Sequence, residues 1–374
     1  MNPVWPTPVE EQMLLACFAP DEDASAALER CSRGWAEAKL EAAATPLLPL
    51  IYRRWQAVEN RVVELGRKAY LANWKRNRER LAEFGGIADR LREKGIRWMA
   101  LKGMALALRQ YADLGLRPMG DVDLLIHAED LLRAVEVLDG AGYRAEEDAA
   151  PDAILRQARV RHAWQFFGGA EWNLDLHWRP VNRCYAPEVT RSFWEGAETV
   201  RFGDREMLTP SPSDQMFHVC VHGLQWDWTR KVRWICDALV VLREAVDWER
   251  VRQLAEGAGM QFRLANALAF LRESFGAPIP PDLPGRLREA ASGWERREYR
   301  LLLKPCPLAV GDSIAWHAYH FRRIRPYDDG WRRVNAAVGL AQYFAAFLDA
   351  RDLRSMVVKI VPHAMLRFRA RARE

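Results

Sequence analysis

Two aspartates one residue apart, Asp121 and Asp123, lie in the stretch LKGMALALRQYADLGLRPMGDVDLLI at residues 101–126. If that segment is a strand, side chains two apart point the same way. Asp121 and Asp123 then project together, while Val122, Leu124 and Ile126 project into an apolar layer. Two neighbouring carboxylates repel unless a cation or a proton sits between them. Such a pair at a sheet edge suits Mg²⁺, which commonly shares its protein ligands with substrate phosphates.

A third carboxylate, Asp175, lies between Leu174 and Leu176, so it faces away from the core, and His177 shares its face. His177 is placed to orient a carboxylate or to touch substrate. Asp175 has a structural alternative as the ion-pair partner of Arg161 or Arg179. Lys102-Gly103 ends one apolar run and opens a helical pattern. Free N–H groups at a helix start can bind phosphate oxygens, and a glycine lets them approach closely. Lys102 can neutralise phosphate directly. Arg117 has two readings, a contact to the same phosphates or a brace for the aspartate loop. His162 opens the strand before the hairpin and has two readings, a residue facing the site or, more simply, a surface or packing histidine. His218 and His222 have the i, i+4 spacing of metal ligands, but Val219 follows His218, so the HExxH pattern is absent and zinc is disfavoured. Among 16 tryptophans, Trp172, Trp178, Trp226, Trp228 and Trp234 offer stacking surfaces, with core packing the simpler reading.

These residues need elements to hold them. Residues 1–94 read as a helical segment: Glu10–Phe18, Ala24–Ala44, Leu47–Val58 and one long helix Arg61–Lys94 with a bend expected at Gly85-Gly86. The period changes at Gly95. Residues 95–210 read as a small mixed sheet with flanking helices, with strands at Ile96–Leu101, Gly120–His127, from Tyr143, and a hairpin Arg161–Phe167/Glu171–Trp178 around Gly168-Gly169. Further short strands are expected at Thr199–Phe202 and Glu206–Leu208. Residues 211–374 read as a helical domain with a basic tail. The fold class is therefore α+β.

Composition narrows the classes. Hydrophobic residues make up 49% and charged residues 28% of 374, as in a globular protein. No apolar run reaches bilayer length, and the N-terminus has no secretory pattern. Cys17, Cys31, Cys184, Cys220, Cys236 and Cys306 form no CxxC pair, which fits reduced thiols and a cytoplasmic setting. The net charge is +5, and Arg351–Glu374 alone carries seven Lys/Arg against Asp352 and Glu374, also +5. The rest is neutral, which disfavours a nucleic-acid coat protein; the tail reads as a solvated basic end.

The motif set resembles the DNA polymerase β-like nucleotidyltransferase superfamily, and within it the bacterial family called uncharacterised nucleotidyltransferases. The residues are Lys102-Gly103, Arg117, Asp121-Val122-Asp123-Leu124-Leu125, Leu174-Asp175-Leu176-His177-Trp178, and Trp234 with Asp237. The likeness spans roughly residues 50–250. It implies a Mg²⁺-dependent transfer of a nucleoside monophosphate from an NTP such as ATP to a hydroxyl, with two metal ions, Mn²⁺ being an alternative. Asp121, Asp123 and Asp175 would be the catalytic metal ligands, and Lys102, Gly103, Arg117 and His177 the nucleotide contacts. The superfamily carries Gly-Gly or Gly-Ser where this chain has Lys102-Gly103. The acceptor is open: a small polyol, a peptide, a protein or tRNA, with the neutral charge outside the tail weighing against tRNA. Two other readings stand beside it, a toxin-like transferase with a neutralising partner and a non-catalytic or kinase-like relative.

Overall fold

In the computed structural model, residues 5–34, 46–168, 173–224, 232–304 and 310–347 are described. The fold is α+β, with 17 α-helices and one seven-stranded mixed sheet among the described residues. The strands are β1 (Trp98–Leu101), β2 (Asp121–Ile126), β3 (Arg144–Ala145), β4 (Ala163–Phe167), β5 (Asn173–His177), β6 (Glu198–Phe202) and β7 (Arg205–Thr209). Their order is β3-β4-β5-β2-β1-β7-β6. β2 runs antiparallel to β1 and parallel to β5, and β4 pairs antiparallel with β5. The expected hairpin strands thus pair, although Gly169 and Trp172 lie outside the described residues, as do Trp226, Trp228, Cys306 and the basic tail.

One face of the sheet is a dry layer. Val122, Leu124 and Ile126 pack with Leu174, Leu176, Trp164 and Phe166 against Leu81, Phe84, Ile87 and Leu91. Those last four lie on the helix Arg61–Glu93, which runs unbroken through Gly85-Gly86. Asn60 caps its start, accepting from the Val62 N–H. Helix Leu131–Gly140 adds Ala134, Val135 and Leu138 to the same layer. On the opposite face Met99, Leu101, Leu125 and Trp194 form a small cluster, with Trp194 supplied by helix Pro187–Glu195. The sheet is therefore covered on both faces at this point, and the polar residues of the second face adjoin this cluster, with His177 opposite Leu125 and Asp123 opposite Leu101.

The long helix also clamps the loop that feeds β2. Asn77, buried, donates to the Leu114 and Arg117 carbonyls at 2.7 and 2.8 Å. Tyr70 donates to Asp113 at 3.2 Å, and Arg80 to the Met119 carbonyl. Such bonds satisfy carbonyls that would otherwise be buried without a partner.

A third layer is helical throughout. Val9, Met13, Leu14, Ile51 and Val62 from the N-terminal helices share one core with Met216, Phe217, Trp234, Ile235, Leu264 and Leu268 from helices beyond residue 210. The N- and C-terminal helices thus bury their apolar faces against each other. Trp178 and Trp234 belong to the cores.

Candidate functional site

Strand register builds the site. Asp123 stands opposite Asp175 in the parallel β2–β5 pair, and Asp121 stands opposite Asn173. Gln165 of β4 stands opposite Asp175, and Leu101 of β1 opposite Asp123. Residues directly opposite share a face. Asp121, Asp123, Asp175, His177, Gln165 and Asn173 therefore form one polar patch on an otherwise apolar surface.

Within that patch the side chains are not equivalent. One ligand atom each from Asp123, Asp175 and His177 lie within 4.8 Å of one another. Asp121 is outside this group, although the charge of Asp123, followed by burial, pushes its carboxyl above the ordinary range. Among the described residues the gathered trio is thus two carboxylates and an imidazole, beside the three aspartates that the resemblance implies. Asp123 and His177 are fully buried, and Asp121 and Asp175 partly so.

Lys102 lies at the centre. Its Nζ donates to Asp123 Oδ1 at 2.5 Å and lies 3.4 Å from His177 Nε2. His177 Nε2 lies 3.0 Å from the same Asp123 oxygen. Burial opposes the charge on Lys102, but the carboxylates of Asp123, Asp175 and Asp121 outweigh it, and the net shift is upward. Burial, then the Lys102 charge, pushes His177 well below the ordinary histidine range, so its ring is neutral. Burial and the Asp123 charge raise the Asp175 carboxyl to about 7, against the opposing pull of Lys102. Asp175 takes neither Arg161 nor Arg179; it accepts from Gln165 Nε2 at 3.1 Å. Arg161 pairs with Glu146, and Arg179 donates to the Ala158 and Arg161 carbonyls.

In the Lys-Gly turn it is the lysine that takes the strained backbone. Lys102 has a φ of 43°, in the left-handed region, while Gly103 is not among the positive-φ glycines. A non-glycine residue held there costs roughly 1–2 kcal/mol. Gly103 serves packing: a Cβ on it would stand 2.8 Å from Arg117 Nη1. Arg117 itself is buried and makes a bidentate pair with Asp237, Nε to Oδ1 and Nη2 to Oδ2, both 2.9 Å. In this structure its guanidinium braces the loop before β2. The helix that follows, Lys102–Leu108, has only seven residues.

Sequence reasoning undervalued two histidines and missed two further groups. The His162 ring packs edge-on against His177 at 5.2 Å between centroids, and burial followed by His177 pushes it well below its ordinary range. His218 is buried, and burial followed by Lys102 holds it at about 3. It reaches the site as a neighbour of Lys102 and His177, and among the described residues it belongs to no metal-ligand trio. Gln165 and Arg233 carried no signal of their own. Arg233 lies close enough to Asp121 to lower its carboxyl, and its Nη1 donates to the Pro118 carbonyl at 2.9 Å.

A divalent cation fits these residues. Asp123 Oδ2 is buried and has no hydrogen-bond partner among the described residues. A buried carboxylate oxygen without a donor is costly, and a cation is what would satisfy it. Oxygen donors suit Mg²⁺ and the added imidazole suits Mn²⁺.

The sheet thus sets two strand carboxylates and a histidine close enough together that they could hold one metal ion. Residues 32–276, well over half the chain, match the family described as "Uncharacterised nucleotidyltransferase". The chain belongs to that family. No curated protein and no solved structure matches it. No helix among the described residues is long and apolar enough to cross a membrane.

Proposed function

We propose that this chain is a divalent-metal-dependent nucleotidyltransferase of the polymerase β-like type. It transfers a nucleoside monophosphate from an NTP to a hydroxyl. The observation that carries this reading is the convergence of Asp123, Asp175 and His177 within 4.8 Å, with Asp121 on the same strand face as Asp123. Family membership supports it independently.

The acceptor oxygen attacks the α-phosphorus of the NTP, the bond from that phosphorus to the bridging oxygen of the β-phosphate breaks, and pyrophosphate leaves with the electron pair. A bound metal ion supplies charge neutralisation for the attacking and leaving oxygens. Asp123 and Asp175 would hold it, with Asp121 or His177 completing the set. Asp175, opposite Asp123 on the same sheet face, is the carboxylate that would accept the acceptor's proton. Lys102 is the cation best placed to meet phosphate oxygens. Arg117 and Gly103 act beneath the turn, holding Lys102 in place.

Incubation with each labelled NTP, Mg²⁺ or Mn²⁺, and a cell extract tests the reading. Label should appear on a product with the native chain and be lost by at least a hundredfold in Asp123→Ala and Asp175→Ala. Equal labelling by native and variant chains would sink it. Comparing RNase-treated, protease-treated and untreated extract then sorts tRNA, protein and small-molecule acceptors.

A further inference from the structure

The cation expected from outside has a counterpart already inside. Of the three groups that gather at the site, the Lys102 ammonium touches two, Asp123 Oδ1 at 2.5 Å and His177 Nε2 at 3.4 Å. We propose that Lys102 is the resident counter-cation of the nucleotide-free protein, and that a divalent ion enters only together with a triphosphate, which draws the ammonium off Asp123 onto phosphate oxygens. The proposal rests on the nucleotidyl-transfer reading above and adds the order of assembly.

Three observations converge on it. Asp123 is fully buried, so a counter-charge is required whether or not a metal is bound. Lys102 supplies that charge, and a bare ion must evict it from a dry contact.

The backbone holds Lys102 there at a cost. The left-handed conformation falls on the lysine although a glycine follows it directly. Had the turn alone mattered, the glycine would be the residue to take that conformation. Leu101, opposite Asp123 on β1, fixes the residue just before the turn, so the lysine stem begins beside the carboxylate it reaches.

The third observation is the side chain itself. A lysine ammonium is a compact charge on a four-carbon stem and can exchange partners by rotation. A triphosphate gives it an anionic partner beyond the carboxylates, and its departure uncovers Asp123 Oδ1 beside the unpartnered Oδ2. The metal and the nucleotide then strengthen each other's binding by the same factor.

The test measures Mn²⁺ bound by the full chain, from the free-ion electron paramagnetic resonance signal during titration with and without α,β-methylene-ATP, after subtracting the Mn²⁺ that the same analogue concentration binds without the chain. The native chain should bind Mn²⁺ at least tenfold more tightly with the analogue. Lys102→Met should bind Mn²⁺ alone at least tenfold more tightly than the native chain, and should lose most of the analogue's effect. Lys102→Arg, which keeps the charge, should behave like the native chain toward bare Mn²⁺. Mn²⁺ binding to Lys102→Met no tighter than to the native chain overturns the proposal and leaves the metal site standing. If Lys102→Met does not fold, the native chain still decides: equal Mn²⁺ affinity with and without the analogue overturns it. Mn²⁺ binding that is absent even with the analogue, or unchanged in Asp123→Asn, overturns the metal reading and this proposal with it.

Discussion

Arg117 and Asp237, 120 positions apart, meet in a buried bidentate ion pair, with both contacts at 2.9 Å. Tyr111 adds a third bond, donating to Asp237 Oδ1 at 2.9 Å. Arg117 lies two residues from Met119 in the loop that delivers β2, and Asp237 lies on helix Arg233–Val241. The pair therefore ties the aspartate strand to the helical layer. Asp237→Asn leaves a buried guanidinium without its counter-charge and is expected to cost about 3–5 kcal/mol. Urea denaturation of the two chains measures it; a loss below about 1 kcal/mol would show that the pair is dispensable.

Gly103→Ala follows from the same arrangement. The new methyl would stand 2.8 Å from Arg117 Nη1 and 3.5 Å from Met119 Cγ. Because Arg117 is pinned by Asp237, it cannot retreat cheaply. Overpacking of this kind costs about 1–3 kcal/mol. In an Arg117→Met background, itself destabilised because Asp237 loses its partner, Gly103→Ala should cost less than it does in the native chain. Thermal melts of the single and double variants check this, and a neutral Gly103→Ala would contradict the packing role.

What the sequence made legible divides along physical lines. The shared face of Asp121 and Asp123 follows from the two-residue period of a strand, and the Leu174-Asp175-Leu176 alternation orients Asp175 in the same way. These are local facts. Which strands pair is not local: the register that sets Asp123 against Asp175 is a tertiary choice, and no residue between 124 and 174 encodes it alone. Arg117 had two readings because its partner is 120 positions away, on a helix whose packing no period predicts. The backbone of the Lys-Gly turn was not legible for a different reason. Glycine is the usual bearer of left-handed backbone, yet here Lys102 carries it and Gly103 makes room for a guanidinium. Gln165 was invisible because an amide on a strand signals nothing until its neighbour across the sheet is known.

Gln165 gives the third prediction. Its amide donates to Asp175 Oδ1 at 3.1 Å and favours the ionised carboxylate, against burial, which raises it to about 7. Gln165→Leu removes that donor, so Asp175 holds its proton to higher pH. A metal ion must displace this proton, so Mn²⁺ affinity at pH 7 should fall about tenfold. The deficit should shrink at pH 9, where Asp175 is ionised in both chains. Mn²⁺ titrations at the two pH values decide; a deficit independent of pH would mean that Gln165 acts only through packing.

Acid stability offers the last prediction, far from the site. Glu298 on helix Gly293–Leu302 faces three guanidiniums: Arg323 at 2.5 Å, Arg183 at 3.7 Å and Arg263 at 3.9 Å. Burial opposes its ionisation, but Arg323 and Arg263, with Arg183, outweigh burial and hold the carboxyl at about 2, against an ordinary 4.5. A carboxyl depressed by folding stabilises the fold fully above its unfolded value and loses that contribution as pH falls toward its folded value. The window here runs from pH 4.5 down to about 2. A shift of this size corresponds to about 3 kcal/mol at neutral pH. Glu298→Gln should therefore be destabilised by about 3–5 kcal/mol at pH 7, since two buried guanidiniums and the partly buried Arg323 lose their carboxylate. The gap to the native chain should narrow steadily below pH 4.5, because the native chain is then protonating the same group. Denaturation at pH 7, 4 and 3 traces that gap, and a gap that stays constant across the three would remove Glu298 as the acid-sensitive link between the C-terminal helices.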